Sequence, residues 1–217
     1  MADRLWNSLL VQTSNALGWE VFHENSKGTS LSEFPTLEET RRHMETVWQS
    51  LPMDHAPAIA LPGADTLTLP TMDIGSAIRK RQTPENMVAA PLNLDVLAAL
   101  LFHMAGIDRV RARGQDNRPY RLVPSGGALY PLELFVHVRA VTGVASGLYY
   151  YNPIEHGLHG LSDGDRSAEI AGFLVQPGLV EDSAVQLFQT AIFPRSTFKY
   201  ADRGYRFALI EAGHQAQ

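Results

Sequence analysis

The chain has 217 residues, 45% of them hydrophobic and 19% charged, enough apolar material for one core with a small appendage. A net charge of -5, with no basic run longer than Arg79-Lys80-Arg81, excludes the usual nucleic-acid and membrane footprints. The absence of cysteine excludes a disulfide framework, a thiolate metal centre and a cysteine nucleophile. No apolar run approaches the roughly 18 to 20 residues of a membrane span, and Met1-Ala2-Asp3-Arg4 lacks a signal-peptide layout, so a cytoplasmic protein is expected.

In chain order, two helical patterns come first, Leu5 to Leu17 and Leu37 to Leu51. The second opens on Thr36 as N-cap with Glu39 three residues on, the spacing of a capping box. Pro52, Pro57, Pro62 and Pro70 then forbid a continuous helix and predict an extended surface run. Residues 1–72 are thus expected to form a helical extension and proline-rich linker, and residues 73–217 the main domain. A short helical segment ends in Arg79-Lys80-Arg81-Gln82-Thr83. Asn93 caps a helix whose Leu97, Leu100, Leu101 and Met104 share one face, stopping near Gly106. Alternation through Leu134, Val136 and Val138, then Gly147 to Tyr151 and His156 to Leu161, predicts antiparallel strands. Asp165 to Val175 reads as helix and Ala184 to Phe193 as a central strand. A last helix begins at Asp202, with Tyr205, Leu209, Ala212 and Ala216 on one stripe.

The chemistry concentrates in three places. Pro124-Ser125-Gly126-Gly127-Ala128-Leu129-Tyr130-Pro131 leaves the main chain without bulk between two prolines, so its N–H and C=O groups can approach a flat, polar ring closely. The same residues also suit a plain helix start with Ser125 as N-cap. Arg79, Arg81 and Thr83 suit a phosphate group, or form a solvated basic turn. Lys199-Tyr200, between a strand and a helix start, suits proton exchange in a partly desolvated site, or an ordinary loop with an amphipathic rim. His156 and His159 flank a turn and do not share a helical face, so no metal site is expected.

Taken together, Phe22 to Lys27, Pro124 to Pro131, Lys199 to Arg206 and Glu211 to Gln217 resemble, in order and over most of the chain, the SagB-type dehydrogenases, flavin enzymes of the nitroreductase superfamily. The resemblance implies an α+β nitroreductase-like fold, a central, mostly antiparallel sheet flanked by helices. It implies FMN as cofactor, with Arg79, Arg81 and Thr83 near its phosphate, although Glu85 stands where the superfamily often has a further basic residue. Pro124, Ser125, Gly126 and Gly127 would line the isoalloxazine ring, and Lys199 and Tyr200 would be the catalytic pair. The implied activity is oxidation of azoline heterocycles or amino-acyl groups in peptide natural-product biosynthesis, on a peptide or carrier-bound small-molecule substrate, with dioxygen reoxidising the flavin. The implied partner is a second copy or a complementary protein subunit. Family members continue beyond the equivalent of Gln217, so the 73–217 domain is expected to be C-terminally incomplete. Two alternatives stay open: an NAD(P)H-dependent nitroreductase-type reductase, and a non-catalytic substrate-binding or docking subunit of a modification complex.

Overall fold

The computed structural model describes residues 18–27, 34–63, 65–66, 71–82, 89–113 and 116–217, with the backbone alone for 111–113 and 116–118. The pattern Leu5 to Leu17, Pro70 and Thr83 lie outside the described residues. The helices are α1 (Gly18–Asn25), α2 (Leu37–Thr46), α3 (Ile74–Lys80), α4 (Leu94–Ala105), α5 (Ser167–Ala171), α6 (Gly178–Asp182), α7 (Pro194–Tyr200) and α8 (Arg203–Ala216). The strands are β1 (Ala58–Ala60), β2 (Ile107–Arg113), β3 (Asp116–Arg121), β4 (Leu132–Val138), β5 (Gly147–Asn152), β6 (Gly157–Asp163) and β7 (Val185–Ala191).

Five strands form one antiparallel sheet in the order β1-β6-β5-β4-β7, and β2 and β3 form a separate hairpin. Leu134, Val136 and Val138 project from one face of β4 onto Leu97, Leu101 and Ala105 of α4, with Tyr149, Tyr151 and Leu158 completing the core. Asn93 accepts from the Asp95 N–H at the start of α4, and Gly106 caps its end, as the sequence predicts. Of the expected stripe, Leu97 and Leu101 are fully buried, whereas Leu100 is exposed.

The opposite face of β4 is buried too, and it carries Glu133 and His137. Each is satisfied, as burial of a polar group requires. Glu133 pairs with Arg195 of α7 and accepts from the Tyr150 hydroxyl at 2.8 Å. His137 bonds to Gln186 and accepts from the Arg166 N–H at 2.9 Å.

Several elements depart from the sequence pattern. The Thr36–Glu39 capping box forms, but α2 stops at Thr46 and Val47 turns extended. Tertiary bonds claim the chain beyond it: Arg121 donates to the Gln49 carbonyl and the Leu51 N–H donates to the Tyr150 hydroxyl, each at 2.9 Å. The proline-rich stretch is not merely surface, since Ala58–Ala60 adds a sheet edge against β6 and Leu61 enters the core. The helix expected over 165–175 is only Ser167–Ala171, capped by Gly172, and Pro177 opens a second one. The strand expected to be central, β7, pairs only with β4 and lies at an edge among the described residues.

Candidate active site

The glycine cradle folds as a tight 3-10 turn, Gly126–Ala128, entered from extended Ser125. Gly127 lies in the left-handed region at φ 70°, and the non-glycine residues Ala128 and Tyr130 also take positive φ, at 53° and 45°. Such conformations persist only where neighbours over-determine them. Tyr130 supplies that constraint. Its N–H donates to Ser125 Oγ at 3.0 Å, its hydroxyl accepts from the Arg121 N–H at 3.0 Å, and its carbonyl accepts from buried Arg195 at 3.2 Å. The Glu133–Arg195 pair therefore ties the turn to β4 and α7 through buried charge.

Lys199 and Tyr200 sit on the last turn of α7, not in a loop. Ala201, at φ 48°, reverses the chain, and α8 starts two residues later. The two helices cross so closely that a Cβ on Gly204 would stand 2.7 Å from the Ser196 carbonyl carbon. That return brings both side chains onto the cradle: a Cβ at Gly127 would lie 2.6 Å from Tyr200 Oη and 2.9 Å from Lys199 Nζ. Lys199 Nζ is 5.1 Å from the centre of the Tyr200 ring, whose edge packs against Phe207 at 4.8 Å. Phe207 in turn fills the space where a Gly126 side chain would stand, 3.0 Å from such a Cβ.

The N-terminal piece converges on the same helix. Arg206 donates to Ser26 Oγ at 2.6 Å and to the His23 carbonyl, and Phe22 meets Tyr205 edge to face at 5.1 Å. Helix α2 reaches α7 as well, where His43 lies against Phe198 at 3.9 Å.

No family model matches the chain. Three relatives do. MJ1384 of Methanocaldococcus jannaschii, a nitroreductase by designation, is 35% identical over 138 residues, which is 64% of this chain and 66% of that protein. The trifolitoxin-processing protein TfxB of Rhizobium leguminosarum bv. trifolii is 30% identical over 57% of this chain and 35% of its own length. The microcin B17-processing protein McbC of Escherichia coli is 32% identical over 48% of this chain and 39% of its own. The chain thus spans less than two thirds of each. Two crystal structures designated nitroreductases share the fold. One, from Anabaena variabilis, has a TM-score of 0.63 at 22% identity over 90% of this chain and 36% of its own. The other, from Ralstonia eutropha, has 0.56 at 23% identity over 73% and 67%. The chain has the nitroreductase fold.

In this nitroreductase-like chain the cradle opens onto a cleft of about 1040 Å³. Pro124, Ser125, Gly127 and Lys199 line it on one side, and Thr40, Arg41, Met44 and Glu45 of α2 on the other. Arg109, paired with Asp108, and Arg121 add guanidinium groups, and Glu45 is the one carboxylate of the lining among the described residues. A planar ligand that carries hydrogen-bond acceptors or negative charge suits that lining, because the turn presents backbone without side chains and the walls carry cations. Gly126 meets Phe207 instead and is not part of the cleft lining. Arg79 and Arg81 lie exposed at the end of α3 and do not line the cleft. Among the described residues no cluster of three His, Asp or Glu could hold a metal, and no helix is long and apolar enough to cross a membrane.

Two further candidate groups were given no role in the sequence reading. Arg121 is buried under the turn, with nothing in the local pattern to mark it. Glu211, only 2% exposed, lies on α8 facing Ser125, and burial pushes its carboxyl up to about 7.

Proposed function

We propose that this chain forms the cofactor cradle and proton-handling half-site of an FMN-dependent oxidoreductase that dehydrogenates azoline rings or amino-acyl groups of a peptide or carrier-bound substrate. The observation that carries the reading is the meeting of Lys199 and Tyr200 at Gly127, with Lys199 and Gly127 lining the cleft. Similarity to TfxB and McbC, which process trifolitoxin and microcin B17, supports a peptide natural-product setting, and a complementary subunit or second copy belongs to the same proposal.

The lining supports a ring there: Pro124, Ser125 and Gly127 present the turn to the cleft with Lys199 and Tyr200 held against Gly127, while Gly126 packs on Phe207 behind it. FMN, when bound there, supplies a two-electron acceptor. Lys199 or Tyr200 takes the proton from the substrate carbon as the bond is desaturated, and the other member of the pair holds it in place. Arg121 and Tyr130 keep the turn rigid while this happens. Arg79, Arg81 and Thr83 are the proposed phosphate contacts, reaching the cleft of a second copy, since the two arginines lie outside the cleft of their own chain. Arg81→Ala should weaken FMN about ten- to a hundredfold, the worth of one charge-assisted contact. Unchanged flavin fluorescence titration would move the phosphate to Arg41 and Arg109 in the cleft.

The deciding experiment uses a thiazoline-containing peptide and the assembled, flavin-loaded protein. Lys199→Ala and Tyr200→Phe should each lower turnover by about a hundredfold or more with flavin still bound. Equal loss of flavin and turnover in both variants would refute the pair's proton role. Reduction of a nitro compound by NAD(P)H, with the peptide left unchanged, would favour the reductase reading that the MJ1384 similarity supports.

A further inference from the structure

Glu211 is the buried carboxyl for which the proposed reaction has no use. It lies on the inner face of α8 with Gly204, Ala208 and Gln215, and neither of its oxygens has a hydrogen bond of full geometry, the Ser125 hydroxyl being the donor near enough to supply one. Gln215, one turn on, has an unpartnered Nε2, because its amide is oriented by Gln189, which donates to Gln215 Oε1 at 3.0 Å. A carboxylate so placed would forfeit its solvation with little compensation, so the geometry favours a neutral acid. The groups facing it from neighbouring elements are Ser125 of the cradle, the Arg121 guanidinium of β3 and the Tyr130 phenol. On α8 itself the nearest titratable neighbour along the helix is His214.

Ser125 is the link to the cleft. Its oxygen accepts from the Tyr130 N–H, so its own proton is free to be donated once. Ionised Glu211 draws that proton toward α8. Neutral Glu211 leaves it for a ligand acceptor, since Ser125 also lines the cleft.

Resting on the flavin reading above, we propose that Glu211 is the proton-holding positioning residue of the cradle, setting through Ser125 whether the turn offers a hydroxyl donor to the bound ring. Filling the cleft with a ring that accepts from Ser125 then takes up one proton at Glu211. The upward-shifted titration of Glu211 to about 7 agrees with this.

Riboflavin is the probe, because it lacks the phosphate whose own ionisation would cloud the readout. Its affinity for the chain should fall by up to about tenfold per pH unit above pH 7, the limit for uptake of one proton. Glu211→Gln should bind at all pH values as the wild type does at pH 6. In parallel, a carbon-13 titration without ligand should show one glutamate carboxyl titrating near neutrality. That signal should be absent in Glu211→Gln and displaced upward in Ser125→Ala, which removes the donor to the carboxylate. A Glu211→Gln variant that keeps the wild-type pH slope overturns the proposal, as does the lack of any such carboxyl or its indifference to Ser125→Ala. Failure of riboflavin to bind at every pH instead overturns the flavin reading, and the carboxyl titration separates the two.

Discussion

At single residues, the decisive positions are those where backbone conformation and contact are both constrained. Gly127 is one: alanine there would have to hold φ 70° and overlap Tyr200 Oη and Lys199 Nζ. Gly127→Ala should cost about 1 to 2 kcal/mol from the left-handed backbone alone and should also displace the Lys-Tyr pair. Thermal unfolding and flavin titration should fall together, whereas an unchanged melting temperature would mean that the turn relaxes freely. Glu211 predicts a pH effect on stability without any ligand. Its carboxyl is neutral in the fold up to about 7 but ionises near 4.5 when unfolded. The folded state is therefore most favoured below 4.5, loses about 3 kcal/mol as the pH rises to about 7, and changes no further above it. Urea unfolding of Glu211→Gln should match the wild type at pH 4 and exceed it at pH 8. The tight turn and the Lys-Tyr dipeptide beside a helix start were legible because glycines and a dipeptide are read in local order, whereas their meeting at Gly127 was not. The sequence hid Glu211, because the buried face of α8 is Gly204, Ala208, Glu211 and Gln215, small and polar, while Leu209 of the expected apolar stripe stays exposed.

Among elements, starts were legible and ends were not. Thr36 and Asn93 announce their helices through side chains that bond within three residues. Where α2 stops depends on Arg121 and Tyr150, about 70 and 100 residues away, which claim the Gln49 carbonyl and the Leu51 N–H and which no local pattern contains. The same long-range logic governs the clamp between β4 and α7. Glu133, in an otherwise apolar strand, is the anchor that holds Arg195, and through Arg195 the Tyr130 carbonyl. Arg195→Met would leave Glu133 buried and short of its counter-charge, a loss of about 3 to 5 kcal/mol. Chemical denaturation should show that loss, and adding Glu133→Gln should return part of it because the orphaned charge is then gone. If Arg195→Met unfolds like the wild type, water reaches Glu133 and the clamp carries no load.

On the scale of the whole molecule, the sheet ends at β7, whose outer edge is unpaired among the described residues, and the neighbouring helix leaves apolar side chains uncovered. Leu209 and Ile210 of α8 are 50% and 54% exposed. Beside them a groove of about 480 Å³ runs between α4, β7 and the end of α8, lined by Leu100, Met104 and Leu187. An open sheet edge and bare apolar surface both favour association. Each of the two side chains would gain roughly 1 kcal/mol or more if the remaining exposure were removed, enough to matter at micromolar concentration when a groove and a sheet edge add to it. The chain should therefore sediment as a self-associating species at tens of micromolar. Leu209→Lys with Ile210→Lys should shift it toward monomer without lowering the melting temperature of the dilute protein, because neither residue supports the internal core. A wild type that remains monomeric at that concentration, or a double variant that associates as before, would show that this surface does not drive assembly.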